Sequence, residues 1–515
     1  MRVFETVIVL LLIGAALAAG ARRIGAPYPA LLALAGAALA LMPGVPAVTL
    51  DPELALALFV APVLLDAAFD ASPRDLREHW RPVASLALVT VVLTVAAVAA
   101  TARWLVPELP WPAAIALGAI VAPPDAAAAT AVLRQLRPPH RLLVILEGES
   151  LFNDASALLI YRLAVSATAA GAISGWGIVP LLLVVTIGSI VLGLVLARAT
   201  IWVSRRIQDV ATAVIVQFIG VFGVWIIAER LHLSGILTMV VFAMSVARTA
   251  PDILPARIRI PSYAVWEVAV FVLNALAFIL VGLQLKPIVQ QLGRVDLLDY
   301  TRIGLTVCAA VILVRIVWAL GANVVRGPGT PEGKRHAIVV AWCGMRGTVT
   351  LAAALALPAD FPHRDLILFT SFLVVLGTLV VQGLTLKPLM TRLGLEQDDA
   401  VEREVRLARV ETLRSAAAAL EDHDGADSEA TDLLRRKYRV RLEQAEARIN
   451  GEGSTGGSPG RLGDYTAAAR AALEAERRRL SALRADGTIG DDAFHKVEEE
   501  LDRAELSADA MHPED

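Results

Sequence analysis

The sequence predicts an all-α polytopic membrane protein with about thirteen transmembrane helices and a helical tail. Its 515 residues are 56% hydrophobic and only 19% charged, and a soluble domain of this size cannot bury so much apolar surface. Aromatic residues make up 5%. The apolar residues form long Ala/Leu/Val runs that do not alternate with polar residues, which favours helices over a membrane barrel.

Charge divides the chain near residue 395. Residues 1–395 carry 29 basic and 21 acidic residues, a net of +8, and residues 396–515 carry 18 and 29, a net of −11. The two sum to the −3 of the whole chain. This contrast predicts a transmembrane domain over 1–395 and an acidic helical cytoplasmic tail over 396–515.

Each transmembrane helix needs about 20 mostly apolar residues. The first such run is preceded by Glu5 and followed directly by Arg22 and Arg23, so we expect a retained helix rather than a cleaved signal peptide. The stretches that meet the requirement are centred near residues 12, 34, 60, 93, 121, 152, 188, 220, 240, 273, 312, 347 and 378.

Basic residues in the loops predict the orientation. The six loops after odd-numbered spans hold 17 Lys and Arg residues, against 6 after even-numbered spans. Positive loops face the cytoplasm. The N-terminus is therefore expected outside and the tail inside, in a multi-pass protein of the bacterial inner (plasma) membrane.

The tail contains helical spacing interrupted by a linker. Apolar residues recur at helical intervals over 407–420 and 434–449, and again over 494–501. The segment NGEGSTGGSPGRLG (450–463) has the composition of a flexible linker. A solvated tail for stability or self-association and a regulatory tail both fit this pattern.

The fifth span, GAIVAPPDAAAATAVL, predicts a broken helix. Pro123 and Pro124 remove two backbone donors in mid-span. Such backbone is tolerated at membrane depth only where protein or a watery cavity surrounds it. With Asp125 at the break, the segment is typical of an ion site between discontinuous helices. The alternative is a kink with a structural Asp.

The sixth span contains EGESLFNDASALL. Glu149 and Asn153 are four residues apart, as are Ser150 and Asp154, which gives two adjacent polar rows on one side of a helix. Ser150 and Asp154 offer hard oxygen ligands for a small cation, and Asn153 contributes an uncharged amide. Glu147 lies nearer the start of the span.

The twelfth span, AIVVAWCGMRGTVTLAAALALP, places Arg346 between Gly344 and Gly347 and predicts a second break. A buried arginine without a partner is very unfavourable, so we expect a carboxylate partner, with Glu149 as the candidate. The alternative is an arginine that extends to the membrane interface.

Other polar residues have open roles. Asp66, near the cytoplasmic end of the third span, is either an interfacial acid or part of the ion path. Asn274 either lines the path or joins helices, and Arg315 either reaches the interface or pairs. The two cysteines, Cys308 and Cys343, suggest no disulfide framework, and we expect no resident cofactor.

Two of these segments together resemble a known family. APPDAAAATAVLRQLRPPHRLLVILEGESLFNDASALLIYR is similar to the fifth and sixth helices of the monovalent cation:proton antiporter family, which includes NhaP-like bacterial exchangers and animal sodium–proton exchangers. WCGMRGTVTLAAAL resembles its glycine–arginine–glycine motif. The resemblance covers about residues 5–390. It implies an NhaA-like antiporter fold, in which spans 1–6 and 8–13 are inverted repeats with equivalent broken helices.

The resemblance also implies roles for the residues of the sixth and fifth spans. Asp154 matches the acid that binds the cation and protons in turn. Asn153 marks the branch associated with electroneutral exchange. Ser150, Asp125 and the Pro124 backbone match cation-site positions.

Three further residues match the family at other positions. Asp66 corresponds to an acid that holds the site through water, and Glu149 and Arg346 match a structural ion pair. Many members carry Thr-Asp-Pro where this chain has residues 124–126, Pro-Asp-Ala. The backbone carbonyl is kept here, but the threonine hydroxyl is absent.

The function implied is secondary antiport of protons against Na⁺, K⁺ or Li⁺, one for one, by a homodimer that serves pH homeostasis. We expect no enzymatic activity and no nucleic-acid partner. One rival is a membrane sensor or channel that signals through its tail. Another is an intramembrane aspartyl protease that uses Asp125 and Asp154. That chemistry needs two acids that share a proton and gives no role to Asn153 and Arg346.

Overall fold

The computed structural model describes nine segments and three single positions, which are residues 2–24, 27–43, 52–133, 138–170, 175–290, 294–321, 331–395, 400–421, 429–449, 476, 478 and 503. Helices dominate, and no β-strand occurs in these residues. The chain forms two compact units, Met1–Asp398 and Asp399–Asp515. The predicted linker 450–463 lies outside the described residues.

The first unit is built from helices joined by short connections. Two π-helical turns, Leu56–Val60 and Ser85–Thr90, continue directly into α-helix. The α-helices are α1 (Arg2–Ile24), α2 (Tyr28–Leu41), α3 (Pro52–Ala55), α4 (Ala61–Asp70), α5 (Pro73–Glu78), α6 (Trp80–Ala84), α7 (Val91–Leu105), α8 (Trp111–Val121), α9 (Ala126–Leu133), α10 (His140–Ala170), α11 (Gly175–Ser204), α12 (Val210–Arg230), α13 (Gly235–Ile253), α14 (Ala256–Leu283), α15 (Leu285–Gln290), α16 (Arg294–Gly321), α17 (Pro331–Trp342), α18 (Thr348–Leu355) and α19 (Arg364–Leu393).

The predicted spans coincide with these helices. Twelve of the thirteen predicted centres fall on helix, and the remaining one, residue 347, falls between α17 and α18. The all-α prediction is confirmed, while the number of membrane crossings stays a prediction. Six described helices are long and apolar enough to cross a membrane, namely Trp80–Leu105, Leu183–Ser204, Val210–Arg230, Arg257–Gln290, Leu297–Gly321 and Arg364–Leu393.

The helices pack as two sets. The first helix set contains α1, α2, α4 and α11–α14, with α2 against α14 and α13 against α4 and α11. The second helix set contains α7–α10 and α16–α19, with α8 against α7 and α10, and α16 against α7 and α19. Each set combines helices from both halves of the chain, as inverted repeats require.

Small residues bring the backbones of the first helix set together. A methyl group on Gly36 of α2 would lie 2.1 Å from the carbonyl oxygen of Ile279 on α14. A methyl group on Gly282 of α14 would lie 2.2 Å from the carbonyl oxygen of Ala33. Glycine at both positions therefore allows the close crossing that membrane helices use to gain contact area.

Both predicted helix breaks are present. Helix α8 ends at Val121 and α9 begins at Ala126, because Pro123 and Pro124 cannot donate the backbone bonds that would continue α8. Helix α17 ends at Trp342 and α18 begins at Thr348, on either side of the segment that contains Arg346.

The second unit contains two described α-helices, α20 (Ala400–Glu421) and α21 (Glu429–Ile449). They pack against each other, and Arg414 of α20 donates to Glu446 Oε1 of α21 at 2.7 Å. Val410 and Ala445 are buried within this hairpin. The helical spacing seen over 407–420 and 434–449 therefore corresponds to two helices.

Candidate functional site

The two broken helices meet at their breaks. The backbone N–H of Asp125, between α8 and α9, donates to the carbonyl oxygen of Met345, between α17 and α18, at 2.7 Å. A single hydrogen bond thus joins two segments that come from opposite halves of the chain. Four helix ends converge there, two with free backbone N–H groups and two with free carbonyl groups.

Asp125 lies at the two N-terminal ends. Its Oδ1 accepts from the backbone N–H groups of Ala127 at 2.9 Å and Ala128 at 3.4 Å, which caps α9. A methyl group on Gly347, the residue before α18, would lie 1.5 Å from Asp125 Oδ2. The carboxylate therefore stands against the start of both half-helices, where the helix dipoles favour negative charge.

Arg346 lies at the two C-terminal ends. Its guanidinium donates from Nε to the carbonyl of Val121 at 2.8 Å and from Nη2 to that of Ala122 at 3.0 Å. Nη1 donates to the carbonyl of Gly344. These carbonyl groups lost their helical donors at the breaks, so Arg346 satisfies them and places positive charge where the dipoles favour it.

The prediction that Glu149 pairs with Arg346 is wrong, because the partner is a different arginine. Glu149 pairs instead with Arg315 of α16, which donates from Nη2 to Oε2 at 2.7 Å and from Nη1 to Oε1. Both side chains are 1% exposed. Arg315 Nε also donates to the carbonyl of Val340 at 3.1 Å. Arg346 is satisfied by backbone carbonyls, and its part in an ion pair with Glu149 is not seen.

Helix α10 passes the breaks without interruption and carries the sixth-span residues. Asn153, fully buried, donates from Nδ2 to the carbonyl of Pro124 at 3.3 Å. This bond ties α10 to the break in the fifth span. Asp154, the next residue, is 5% exposed.

A cavity of about 260 Å³ lies between the two helix sets at this crossing. Asp66, Pro124, Asp125, Ser150 and Asp154 all line it. The structure therefore brings together five of the six residues that the sequence predicts for cation and proton binding. The predicted residues that do not line the cavity are Asn153, Glu149 and Arg346, which connect and neutralise the helices behind it.

The sequence profile of the family described as transmembrane sodium/hydrogen exchanger matches residues 7–392. The chain belongs to the sodium/hydrogen exchanger family. The matched range includes both breaks and every residue of the candidate site.

Named relatives extend over most of this exchanger. It is 30% identical, over 94% of its length and 92% of the relative, to a protein of Mycobacterium tuberculosis strain H37Rv named as an uncharacterized Na⁺/H⁺ exchanger. It is 29% identical to a sodium, potassium, lithium and rubidium/H⁺ antiporter of Bacillus pumilus, over 82% of this chain and 66% of that one. A low-affinity Na⁺/H⁺ antiporter of Synechocystis, NhaS1, is also 29% identical, over 82% and 80%.

The fold is similar to that of a solved antiporter. MjNhaP1 from Methanocaldococcus jannaschii, a sodium proton antiporter, matches with a TM-score of 0.62 at 19% identity, over 77% of this chain and 99% of that one. The predicted NhaP-type antiporter architecture is therefore confirmed.

Three polar residues that line the cavity were not assigned to the site from the sequence. Asp70 lines it one helical turn after Asp66, and Glu147 lines it one turn before Ser150. Asn274 of α14 lines it as well, which answers the open question of its position. The sequence spacing could have indicated the two acids, because Asp70 is four residues from Asp66 and Glu147 is three residues from Ser150. Residues at i and i+3 or i+4 share a helix face.

Proposed function

We propose that this exchanger is a secondary antiporter of the bacterial plasma membrane that carries one proton against one Na⁺, K⁺ or Li⁺. Asp154 is the shared carrier. The observation that carries the proposal is the cavity at the crossing of the broken helices, where the carboxyl groups of Asp154 and Asp125 and the Ser150 hydroxyl line the same space. These are hard oxygen ligands suited to a small monovalent cation.

Competition for Asp154 explains the exchange. A carboxylate buried without a counter-charge is strongly unfavourable. Asp154 is therefore occupied either by a proton or by a cation, and only an occupied carrier is stable while it is closed off from both sides. Each transport cycle then returns one ion for the other.

The remaining ligands surround Asp154. Asp125 and Ser150 complete the predicted cation site with the carbonyl of Pro124, which accepts one bond from Asn153 and keeps a second lone pair. Asp66 supports the site through water from the α4 side.

The buried charges balance in a way that favours electroneutral exchange. Glu149 is neutralised by Arg315, and the helix-end charges Asp125 and Arg346 are opposite in sign. Asn153 is neutral. Asp154 is left to carry one negative charge, which one proton or one monovalent cation cancels equally.

The positive loops predict the side to which the cavity opens. They place the C-terminal end of α4 and the first turns of α10 in the cytoplasm, and Asp70 and Glu147 line the cavity at those ends. The arrangement is therefore inward-facing. Alternating access follows if the second helix set, which carries Asp154, moves against the first helix set.

The test is a pH-gradient dequenching assay on inverted vesicles that contain the wild type or Asp154→Asn. Na⁺, K⁺ and Li⁺ are added separately, because the Bacillus pumilus relative is named for all three ions. We expect dequenching by at least one cation in the wild type and none in the variant. Folded wild-type protein that responds to no cation would contradict antiport, and a response that survives in Asp154→Asn would move the carrier to another residue, such as Asp125.

Electroneutrality is tested in proteoliposomes under an imposed membrane potential. The initial rate of Na⁺-driven proton movement should be the same at zero and at inside-negative potential. A rate that changes with potential would contradict one-for-one exchange while leaving antiport itself in place.

A further inference from the structure

A second cavity, of about 570 Å³, lies between the two helix sets away from the ion site. It shares no lining residue with the first cavity. Its walls come from α5–α6 and α10 on one side and from α11 and α13 on the other. The apolar side chains that line it include Leu76, Val83, Phe152, Leu159, Leu237 and Met244.

The serine hydroxyls in this cavity are already engaged by the protein. Ser156 Oγ donates to the carbonyl of Ala87 at 2.8 Å. Ser234 Oγ accepts from the backbone N–H of Leu237 at 3.2 Å and so caps α13. Thr186 and Arg77 also line the cavity, but most of the lining side chains are apolar. An occupant is therefore bound mainly through apolar contacts, which favours a hydrocarbon over a polar solute.

The cavity is elongated along the helices and lies beside the lipid-facing surface. Trp80 and Leu88, both lining residues, are 58% and 54% exposed. On the continuous α-helix α10, the lining residues Phe152 and Leu159 are seven residues apart, about 10 Å at the rise of an α-helix. On α11, Val184 and Ile187 beside the lining residues are also exposed. A slot of this form runs parallel to the acyl chains of the bilayer.

One end of the slot is lined by an arginine. Arg77, exposed on α5, lines the cavity, and the Arg81 guanidinium lies 5.7 Å from the ring centroid of Trp80. The positive loops place this end at the cytoplasmic interface, where tryptophan and arginine are favoured and anionic headgroups are found.

We propose that this slot binds one acyl chain of an anionic membrane phospholipid, with its phosphate held by Arg77. The chain lies against α10 between Phe152 and Leu159, the stretch of helix that includes Asp154. Binding at this position couples bilayer composition to the helix that carries the proposed ion site. The binding itself does not depend on antiport.

The test is lipid binding by native mass spectrometry. Delipidated full-length protein in detergent is titrated with phosphatidylglycerol or with phosphatidylcholine of the same acyl chains. We expect one tightly bound lipid per chain and a preference for phosphatidylglycerol on the order of fivefold, since one arginine near the membrane surface contributes about that factor.

Two pairs of variants separate the headgroup from the chain. Arg77→Gln should abolish the preference, while Arg206→Gln should keep it, because Arg206 is also an exposed arginine but does not line the cavity. Ala84→Phe fills the slot and should weaken both lipids, while Ala96→Phe, on the lipid-facing side of α7, should weaken neither.

Three results would overturn the proposal. They are equal binding of the two lipids by the wild type, unchanged binding by Ala84→Phe that elutes as folded protein, and a phosphatidylglycerol preference that is unchanged in Arg77→Gln. Arg77 is exposed, so Arg77→Gln keeps the test decisive if Ala84→Phe does not fold. Because binding is measured without transport, failure here is distinct from failure of antiport.

Discussion

Two buried arginines perform different tasks at the crossing of the broken helices. Arg315 neutralises a carboxylate, Glu149, and Arg346 satisfies carbonyl groups at Val121, Ala122 and Gly344. Replacing Arg315 removes the partner of a carboxylate, and replacing Arg346 removes the donor to three backbone carbonyl groups. The loss of Arg315 leaves a buried charge, whereas the loss of Arg346 leaves buried dipoles, which are less unfavourable.

Replacing Arg315 with Gln should destabilise the protein strongly. Leaving one member of a buried ion pair uncompensated typically costs about 3–5 kcal/mol. The double variant Glu149→Gln/Arg315→Gln should recover much of this loss, because no isolated charge remains. The measurement is the thermal unfolding midpoint of purified protein in detergent for both single variants and the double variant.

The matched cycle uses Glu149 and Arg346. The losses of stability in Glu149→Gln and Arg346→Gln should nearly add up to the loss in the double variant. Their coupling free energy should lie well below the upper range of about 3 kcal/mol for directly contacting groups. Strong coupling of Glu149 to Arg346, and none to Arg315, would support the pairing that the sequence suggested and contradict the structure.

The sequence predicted the members of the site better than their pairing. Asp66, Asp125 and Asp154 could be chosen because an acid inside an apolar span needs a role. The partner of Glu149 could not be chosen, since Arg315 and Arg346 both lie in mid-span. Which one reaches Glu149 depends on how α16 is rotated and on where the second break turns the chain, and the pair is 166 residues apart in sequence.

At the scale of helices, local chemistry explains one break more fully than the other. Pro123 and Pro124 end α8 by themselves, so the sequence could place that break. Gly344 and Gly347 beside Arg346 also indicated the second break, but its hydrogen bond to the first break is seen only in the folded arrangement. The two π-helical turns, Leu56–Val60 and Ser85–Thr90, contain no proline or glycine and could not be recognised from the sequence.

Gly347→Ala should abolish antiport. The added methyl group would lie 1.5 Å from Asp125 Oδ2, so either α18 or the carboxylate must move away from the crossing. The measurement is cation-evoked dequenching together with elution of folded protein. Gly223→Ala is the control, because a methyl group on Gly223 of α12 would meet no atom within 4 Å. A folded and fully active Gly347→Ala would show that this close approach is not needed for transport.

An ion pair joins the two helix sets at the opposite end of α10. Arg162 of α10 donates from Nη2 to both carboxylate oxygens of Glu229 on α12 at 2.9 Å. In the orientation proposed from the positive loops, these helix ends lie outside the cell. In the proposed inward-facing state, the pair would hold the outer ends of the two helix sets together.

Glu229→Gln should weaken the inward-facing state. Because both side chains are partly exposed, the pair contributes at most about 1 kcal/mol. The KM for cytoplasmic Na⁺ should rise by up to about fivefold, as the competent state becomes less populated. The measurement is the Na⁺ dependence of dequenching in inverted vesicles.

The exchanged pair Arg162→Glu/Glu229→Arg should return KM toward the wild-type value. Arg103→Gln should leave it unchanged, because Arg103 donates to the carbonyl of Leu109 beside its own helix and does not join the two sets. A swap that fails to restore KM, from folded protein, would show that the contact between Arg162 and Glu229 does not govern this equilibrium.

At the scale of the whole molecule, the proposed ion site belongs entirely to one of the two units. Asp66, Asp125, Ser150 and Asp154 all lie within Met1–Asp398, and the family profile ends at residue 392. The solved archaeal antiporter is matched over 99% of its length by 77% of this chain. Charge patterning predicts a boundary at 395 because a membrane-spanning segment and a solvated tail differ in composition, and this prediction needs no contact information.

A chain that ends at Asp398 should therefore keep cation-evoked dequenching that depends on Asp154. In the proposed mechanism, antiport requires the cavity, the two breaks and movement of the helix sets, and the residues that form these features lie within Met1–Asp398. The measurement compares the initial dequenching rate of the shortened and full-length chains at equal amounts of folded protein, with Asp154→Asn in both. The tail would then adjust the rate or the assembly of a complete transporter. If the folded shortened chain responds to no cation, the tail is part of the transport machinery. This result would also agree with the rival function, a membrane sensor or channel that signals through its tail.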